Sequence, residues 1–327
     1  MSGFPWGRAG VGSAAWALLL LALGLINVTC GDNFARPPAP SSVNGWVAYC
    51  VYDSVIPAIW KIRLDGTGAR RLGVRGWNCR WDPQGARLSF ANRVGFQWHV
   101  FISDSSGAHL LDTGVSASDF SAWSPDGRNV LAGGLLRDAE TGEQLGPPPT
   151  PPQVFDGDSV YPAYPWEFTR DDRHVVVKGF NHHPGGADSC RLRYDYYVTD
   201  IHSGAIVERL TKTRYTDCTD SVLAVSPNGR KILMRCGFGA LRITLAVLDV
   251  ETQQLVGVTS GRVDFAGRWG SDNRSIVFIR LREPAGRHET HSLLYTSLDS
   301  LGHERMILDQ DVELKGFDVH LDAGRPK

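Results

Sequence analysis

After residue 43, the sequence has no long stretch with the three-to-four-residue apolar spacing of an amphipathic helix. Short apolar and β-branched segments follow one another instead, separated by Gly, Asp, Asn and Pro. This pattern is typical of strands joined by tight turns, because proline presets φ and Asp or Asn followed by Gly tolerates the positive φ that closes a turn. The chain is therefore predicted to be all-β.

Two hairpin elements alternate along this region. The first is a strand, a turn and a second strand, and its most complete copy has WSPDG at residues 123–127. It occurs five times, with copies that start at Arg80, Ala122, Glu167, Ala224 and Arg268. The second is a strand that ends in a polar turn, mostly after Asp, and a short further strand. It occurs six times, with copies that start at Ile59, His99, Leu135, Tyr196, Leu245 and Leu293. Two hairpins make one four-stranded antiparallel propeller blade.

WSPDG, an apolar strand and an Asp-ended strand together resemble the TolB-like β-propeller repeat, and the resemblance covers residues 44–322. The copies at Phe168 and Trp269 lack the proline. The six copies of the second hairpin imply a six-bladed β-propeller of four-stranded antiparallel blades, with about 46 residues per blade. Residues 46–51 and 317–321 are expected to complete one blade from the two ends of the chain and to close the ring. An open solenoid or two sandwiches are the structural alternatives.

The N-terminal region predicts export. Arg8 is the only charged residue before an apolar run at residues 14–26, whose length suits a signal-peptide core better than a membrane span. We expect a signal peptide at 1–30, a Pro-rich linker at 31–43, the propeller at 44–322 and a tail at 323–327. Cys30 resembles the lipidated cysteine of a bacterial lipoprotein; ordinary cleavage nearby and an uncleaved anchor are the alternatives. The expected location is the periplasm, the cell surface or the extracellular space.

Composition narrows the class of partner. The 327 residues include 34 Lys and Arg and 35 Asp and Glu, a formal net charge of −1. This balance argues against nucleic acid, and against membrane contact other than through the signal segment or a lipid. The sequence contains no G-x-S-x-G, H-E-x-x-H or C-x-x-C motif. We therefore expect a monomeric propeller without a cofactor that binds a protein or a cell-envelope ligand.

The long, irregular loops are predicted to gather on the face opposite the short motif turns, where binding usually occurs on rigid scaffolds. Aromatic and arginine side chains there are typical interface anchors, with loop packing or solvated charge as the alternative for each. The candidates for ligand or partner contact are Arg93, Trp98, Tyr161, Tyr164, Trp166, His182, His183, Arg193, Tyr215, Asp217, Arg280 and Arg282.

The leading hypothesis is a non-catalytic binding or scaffold protein. The alternative is a propeller lyase or hydrolase in which His182, His183, His288 or Asp217 acts in acid–base or metal chemistry in the central funnel. His182, His183 and Asp188 are weak metal candidates, because their spacing is specific to no one metal and solvated loop histidines explain them better. A structural surface protein without a discrete site is a third possibility.

The remaining cysteines fall into two groups. Cys50 and Cys79 lie in neighbouring repeats, and Cys190, Cys218 and Cys236 lie at loop ends of the fourth and fifth repeats. Export permits disulfides, so all five are candidates: Cys50 with Cys79, and Cys218 with Cys190 or Cys236. Five is an odd number, and at least one thiol is left over.

Overall fold

A computed structural model describes residues 44–116, 118, 120–146, 153–156, 158–169, 171–182, 193–211, 222–237, 243–260, 263–282 and 290–322. Of these, residues 158, 161–166, 180–182, 193–194, 222 and 310–312 are described by their backbone only. The predicted signal peptide, linker and tail, with Cys30, lie outside the described residues. So do His183, Asp188, Cys190, Tyr215, Asp217, Cys218 and His288.

The described strands form six antiparallel sheets, which are the blades of a propeller. Blade 1 contains β1 (Gly45–Val51), β2 (Ala58–Arg63), β3 (Arg70–Arg75) and the last strand, β24 (Leu314–Leu321). Blade 2 contains β4 (Trp77–Trp81), β5 (Arg87–Val94), β6 (Gln97–Asp104) and β7 (Leu111–Ser116). Blade 3 contains β8 (Ser121–Trp123), β9 (Asn129–Ala132) and β10 (Leu135–Asp138).

The second half of the ring follows the same order. Blade 4 contains β11 (Gln153–Phe155), β12 (Asp158–Phe168), β13 (His174–His182), β14 (Arg193–Asp200) and β15 (Ile206–Arg209). Blade 5 contains β16 (Val222–Val225), β17 (Lys231–Gly237), β18 (Ile243–Asp249) and β19 (Leu255–Gly257). Blade 6 contains β20 (Asp264–Trp269), β21 (Ser275–Leu281), β22 (His291–Ser297), a 3₁₀ helix (Leu298–Ser300) and β23 (Arg305–Val312).

The ends of the propeller close the ring as predicted. β24 pairs with β1 in a register that runs from Gly45 opposite Leu321 to Val51 opposite Leu314. The innermost strand of blade 1 therefore comes from the end of the chain and the other three strands from its beginning. The pairing covers two strand edges that would otherwise be exposed, which is how propellers avoid open edges.

Two blades depart from four strands. In the described part of blade 3, the chain after β10 adds an isolated bridge between Arg137 and Gln144 in place of a fourth strand. In blade 4 the additional strand β11 pairs with the start of β12, with Val154 opposite Ser159.

The core lies mainly between neighbouring blades. Between blades 5 and 6, Leu233 and Leu245 pack against Trp269 and Phe278, all of them buried. Gly267 lies in this interface, where an added Cβ would come within 2.5 Å of a Leu233 methyl carbon. The aromatic residue that begins the motif therefore holds one blade against the blade before it, which explains its recurrence.

Candidate functional site

The Asp residues that end the third strands are turn caps. The carboxylate of Asp104 accepts the backbone N–H groups of Ser106 (2.8 Å) and Ala108 (3.0 Å), and that of Asp249 accepts the N–H of Thr252 (2.9 Å). Hydrogen bonds to the charged form lower the pKa of each carboxyl to about 2, with a hydroxyl bond from Ser106 the largest contribution at Asp104 and the Thr252 N–H bond the largest at Asp249. Asp65, Asp138 and Asp200 cap their turns in the same way.

The turns between first and second strands link the blades on the same side of the ring, which we call the motif face. The N–H of Asp126 in blade 3 donates to a carboxylate oxygen of Asp172 in blade 4 (3.0 Å). The N–H of Asn228 in blade 5 donates to the side-chain oxygen of Asn273 in blade 6 (2.7 Å). The recurring polar residues of the motif are therefore occupied in holding the ring together.

The opposite, loop-rich face carries a hairpin tip with a different character. β5 runs away from the motif face and turns at Gly95 and Phe96 into β6. Gly95 has φ +63° at the first central position of this two-residue turn, where type II′ geometry favours glycine. Phe96 follows it, and 98% of its surface is exposed.

Three further side chains support this tip. Arg93 and Trp98 are cross-strand partners, and the Arg93 guanidinium carbon lies 4.7 Å from the Trp98 ring centroid. Trp77 on β4 meets Trp98 edge to face, with ring centroids 5.2 Å apart. We call Trp77, Arg93, Phe96 and Trp98 the blade-2 patch. Among the predicted contact residues whose side chains are described, Arg93 and Trp98 are the pair that meets on an exposed surface.

The predicted contact residues of blade 6 are already paired. Arg280 donates to both oxygens of the buried Asp264 (2.7 and 3.1 Å) and to Glu304 (2.7 Å). Burial opposes the charge of Arg280, but these carboxylates outweigh it and raise the pKa of the guanidinium. Arg282 forms an ion pair with Asp309. Both charges are compensated inside the blade, which favours a structural role over the predicted ligand contact.

For blade 4, the backbone places several predicted residues together. Tyr161, Tyr164 and Trp166 lie on β12, His182 ends β13 and Arg193 begins β14. Asn181 is the register partner of Arg193, so these strand ends meet on the loop-rich face. Among the described residues, no group of three or more His, Cys, Asp or Glu side chains is placed to hold a metal ion. The enzyme alternative depends on residues outside this set and stays a prediction.

The cysteines differ from one another. Cys50 and Cys79 are both buried thiols, so the disulfide expected between them is not formed in this structure. Burial, followed by a hydrogen bond that the Cys79 thiol donates to Cys50, raises the pKa of Cys79. Each lies within a packed strand between blades 1 and 2, where a thiol behaves as a small apolar side chain. Cys236 is disulfide-bonded, and its partner is not among the described residues.

Sequence reasoning missed a set of charged residues at the centre of the ring. Arg80, Glu167, Arg268 and Asp318 lie on the innermost strands of blades 2, 4, 6 and 1. Arg80 Nη1 lies 3.6 Å from Asp318 Oδ1 and 4.0 Å from Glu167 Oε1. The sequence did offer one signal. Arg80, Glu167 and Arg268 each stand immediately before the aromatic residue of their copy of the repeat, and the other two copies have alanine, Ala122 and Ala224, at this position.

No protein-family model matches the sequence, and no curated protein matches it. Solved structures do. TolB from Acinetobacter baumannii superposes with a TM-score of 0.59 at 16% identity over 84% of this chain and 66% of that one. The chain has the TolB-like propeller fold. The TolB-like ring also matches the propeller domain of the trilobed protease from Pyrococcus furiosus, with a TM-score of 0.51 at 15% identity, over 81% of this chain and 94% of that domain.

A third match comes from a nidogen/laminin complex, with a TM-score of 0.51 at 8% identity, over 84% of this chain and 98% of the other. The Pyrococcus domain has an open velcro topology, whereas this TolB-like propeller is closed by the pairing of β1 with β24. At these identities the likeness concerns the fold alone. In the described part of the chain, no helix has the length and apolar character that crossing a bilayer requires.

Proposed function

We propose that this propeller is a non-catalytic binding protein that contacts a protein partner through its loop-rich face, with the blade-2 patch as an anchor. The observation that carries the proposal is the almost complete exposure of Phe96 at the tip of a paired hairpin. An isolated exposed apolar residue is common, but here it lies beside an Arg93–Trp98 stack and a second tryptophan. Trp, Tyr and Arg dominate the binding energy of protein interfaces.

The local geometry lowers the cost of binding. β5 and β6 are paired from Arg87 opposite Asp104 to Val94 opposite Gln97, so the tip is held up to its last two residues. The stack of Arg93 on Trp98 and the edge contact of Trp77 restrict the rotamers of these large side chains before any partner arrives. A surface that is already ordered loses less conformational entropy when it is buried.

The comparisons support the proposal at the level of the fold. A propeller with this topology was solved in the nidogen/laminin complex, so the fold serves protein binding in at least one other chain. The formal net charge of −1 gives no electrostatic reason to favour nucleic acid. The proposed partner is a soluble protein or a protein of the cell envelope, and a crosslinked adduct would identify it.

Photo-crosslinking in the native host tests this proposal. A photoreactive phenylalanine analogue at Phe96 should give a defined protein adduct, because that side chain would be buried by the partner. The same analogue at Leu301, in the turn that follows β22 on the motif face, is the matched control and should give none. Equal adducts at both positions, or none at Phe96 in cells with native expression, would overturn the assignment of the face.

We further propose that the chain acts outside the cytoplasm, with Cys30 as a lipid attachment site. The apolar run at 14–26 supports export, and so does the disulfide at Cys236, because disulfides persist in oxidising compartments. Labelling with an alkyne-bearing fatty acid should mark the wild-type chain and not Cys30→Ala. An exported chain should be cleaved by an external protease once the outer envelope is removed. A chain that stays protected is retained in the cytoplasm, and that result would contradict the proposal.

A further inference from the structure

The charged residues at the centre of the ring occupy equivalent places in their blades. Arg80 is opposite Ser89, Glu167 opposite Val176, and Arg268 opposite Val277, each in the pairing of a first strand with a second. Asp318 takes the same place in blade 1, opposite Ala48. We call these four side chains the channel ring, because the first strands of all blades surround the propeller axis.

The two arginines extend over the blades that have alanine at this position. The Arg80 guanidinium carbon lies 5.4 Å from the Phe120 ring, just before β8 of blade 3. Arg268 Nη1 donates to the carbonyl oxygen of Leu223 in blade 5 (2.6 Å). Around the axis, the charges therefore alternate in the order Asp318, Arg80, Glu167 and Arg268. Each carboxylate has a guanidinium on either side.

The carboxylates and the guanidiniums differ in how well they are hydrogen-bonded. One oxygen of Asp318 accepts the N–H of Trp81 (2.8 Å), and one oxygen of Glu167 accepts the N–H of Val225 (2.7 Å). Both carboxylates thus obtain a backbone donor. The ion-pair distances from Arg80, 3.6 and 4.0 Å, exceed the usual length of an N–H···O hydrogen bond, which is about 2.7–3.2 Å.

Two guanidinium nitrogens remain without an acceptor among the described residues. These nitrogens are Arg80 Nη2 and Arg268 Nε, and both atoms are buried. The Arg80 side chain as a whole is 5% exposed. Burial, with the Arg80 charge as the next contribution, lowers the pKa of Arg268 to about 10. A buried donor without an acceptor destabilises the folded protein, and more so when it is charged. The ring therefore has spare donors and two guanidinium groups that repel each other.

We propose that the channel ring binds one small monovalent anion between the guanidiniums of Arg80 and Arg268. Such an ion accepts the spare N–H groups and screens the repulsion between the two arginines, which a neutral water does only in part. The side chains of Glu167 and Asp318 are 22% and 14% exposed, so the ring is open to small solutes. The two spare N–H groups match the binding capacity of a small ion such as a halide or formate.

Bromide is the probe, because its anomalous scattering identifies it in a crystal. Crystals grown in sodium bromide should show one anomalous peak within hydrogen-bonding distance of Arg80 Nη2 and Arg268 Nε. In solution, bromide should raise the thermal midpoint of the wild-type protein in a saturable manner, because a ligand of the folded state stabilises it. A ring that holds only water would show neither effect, and that outcome would overturn the proposal.

Variants separate this site from general salt effects. Arg268→Gln should abolish the saturable bromide response, and Arg128→Gln, at an exposed arginine of the motif face, should leave it unchanged. Glu167→Gln keeps an oxygen for the Val225 N–H but removes a negative charge, so it should tighten bromide binding by roughly tenfold or more. This second variant remains decisive if Arg268→Gln fails to fold. Weaker or unchanged binding in Glu167→Gln would contradict the proposed site.

Discussion

The two faces of the ring use polar and aromatic side chains in opposite ways. On the motif face, the repeated Asp, Asn and Ser side chains are consumed by turn caps and by bonds from one blade to the next, such as Asp126 to Asp172. On the loop-rich face, the side chains of the blade-2 patch contact mainly one another and solvent, and Phe96 contacts almost nothing. The motif that identifies the fold thus describes its construction, whereas the residues outside the repeat carry the proposed function.

This contrast has a simple physical origin. On the motif face, each turn must contact the turn of the next blade, which restricts it to one backbone geometry. The same capping residues therefore recur from blade to blade. A loop on the other face need not meet the loop of the next blade, so its sequence is not restricted in this way. Substitutions on the two faces should therefore separate stability from binding, and the predictions below test that separation.

The largest loss of stability is expected at Asp82. Its carboxylate is 2% exposed and accepts the N–H groups of Ala86 (2.8 Å) and Arg87 (3.0 Å), and the Arg87 side chain (3.1 Å). Asp82→Ala removes the acceptor of two backbone N–H groups and the ion-pair partner of Arg87, whose side chain is 28% exposed, and should cost about 3 kcal/mol of unfolding free energy. Urea denaturation measures it.

Ser124 holds the position of Asp82 in the motif of the next blade, and the control is Asp126, the carboxylate that caps that turn. It is more exposed and caps its turn through fewer bonds, with the N–H of Arg128 (2.8 Å) and the Ser124 hydroxyl (2.7 Å) as donors. Asp126→Ala should cost about 1 kcal/mol, in the range of an ordinary lost cap. Equal losses for the two variants would show that burial does not distinguish these caps and would contradict the assignment.

A smaller loss is expected at the repeat tryptophan of blade 3. Trp123 Nε1 donates to the carbonyl oxygen of Arg80 in blade 2 (3.2 Å), and its ring packs between the two blades. Trp123→Phe removes that bond and part of the ring volume, for a cost of about 1–3 kcal/mol. Trp81 packs similarly, but its Nε1 has no acceptor among the described residues, so Trp81→Phe should cost less. If thermal unfolding showed a larger loss of stability for Trp81→Phe than for Trp123→Phe, the inter-blade hydrogen bond would not explain the role of Trp123.

These inter-blade contacts also explain what the sequence predicted well. The number of blades and the closure of the ring followed from turn chemistry that depends on local residues, such as Pro125 and Gly127. The three described strands of blade 3 did not follow, because the degenerate copy that starts at Leu135 is compatible with several pairings. The additional strand β11 is likewise a long-range pairing with β12 that no local pattern encodes.

The candidate site was predicted less completely, for a different reason. Arg93 and Trp98 were predicted as contacts because loop aromatics and arginines stand out in sequence, but Arg280 has the same appearance and is paired with Asp264 and Glu304. A sequence does not reveal whether a charge has a partner in a neighbouring strand. The channel ring was missed because a charged residue in a strand usually faces solvent, and only the closed ring brings Arg80 and Glu167 from blades 2 and 4 together.

The acid sensitivity of the motif face should be moderate and traceable to its caps. The pKa values of Asp104 and Asp249 lie near 2 in the folded protein, below the ordinary 3.8. Because the folded pKa is lowered, their contribution to stability is present above about pH 4 and is lost as the pH falls toward 2. The double variant Asp104→Asn and Asp249→Asn keeps the capping oxygens but does not titrate. Its unfolding midpoint should fall less steeply over this range, and an unchanged slope would contradict the role of these caps.

Substitution of Phe96 should have the smallest effect on stability and the largest effect on binding. Its side chain is almost fully exposed, so Phe96→Ala should change the unfolding free energy by no more than about 0.5 kcal/mol. If the blade-2 patch is an anchor, the same change should abolish the adduct formed by a photo-crosslinker at the neighbouring Gln97. Leu110→Ala, which truncates a residue that is 57% exposed in the turn before β7 on the motif face, should leave both stability and adduct unchanged. A lost adduct with intact stability separates recognition from construction at a single side chain. A preserved adduct would place the binding surface elsewhere on the ring.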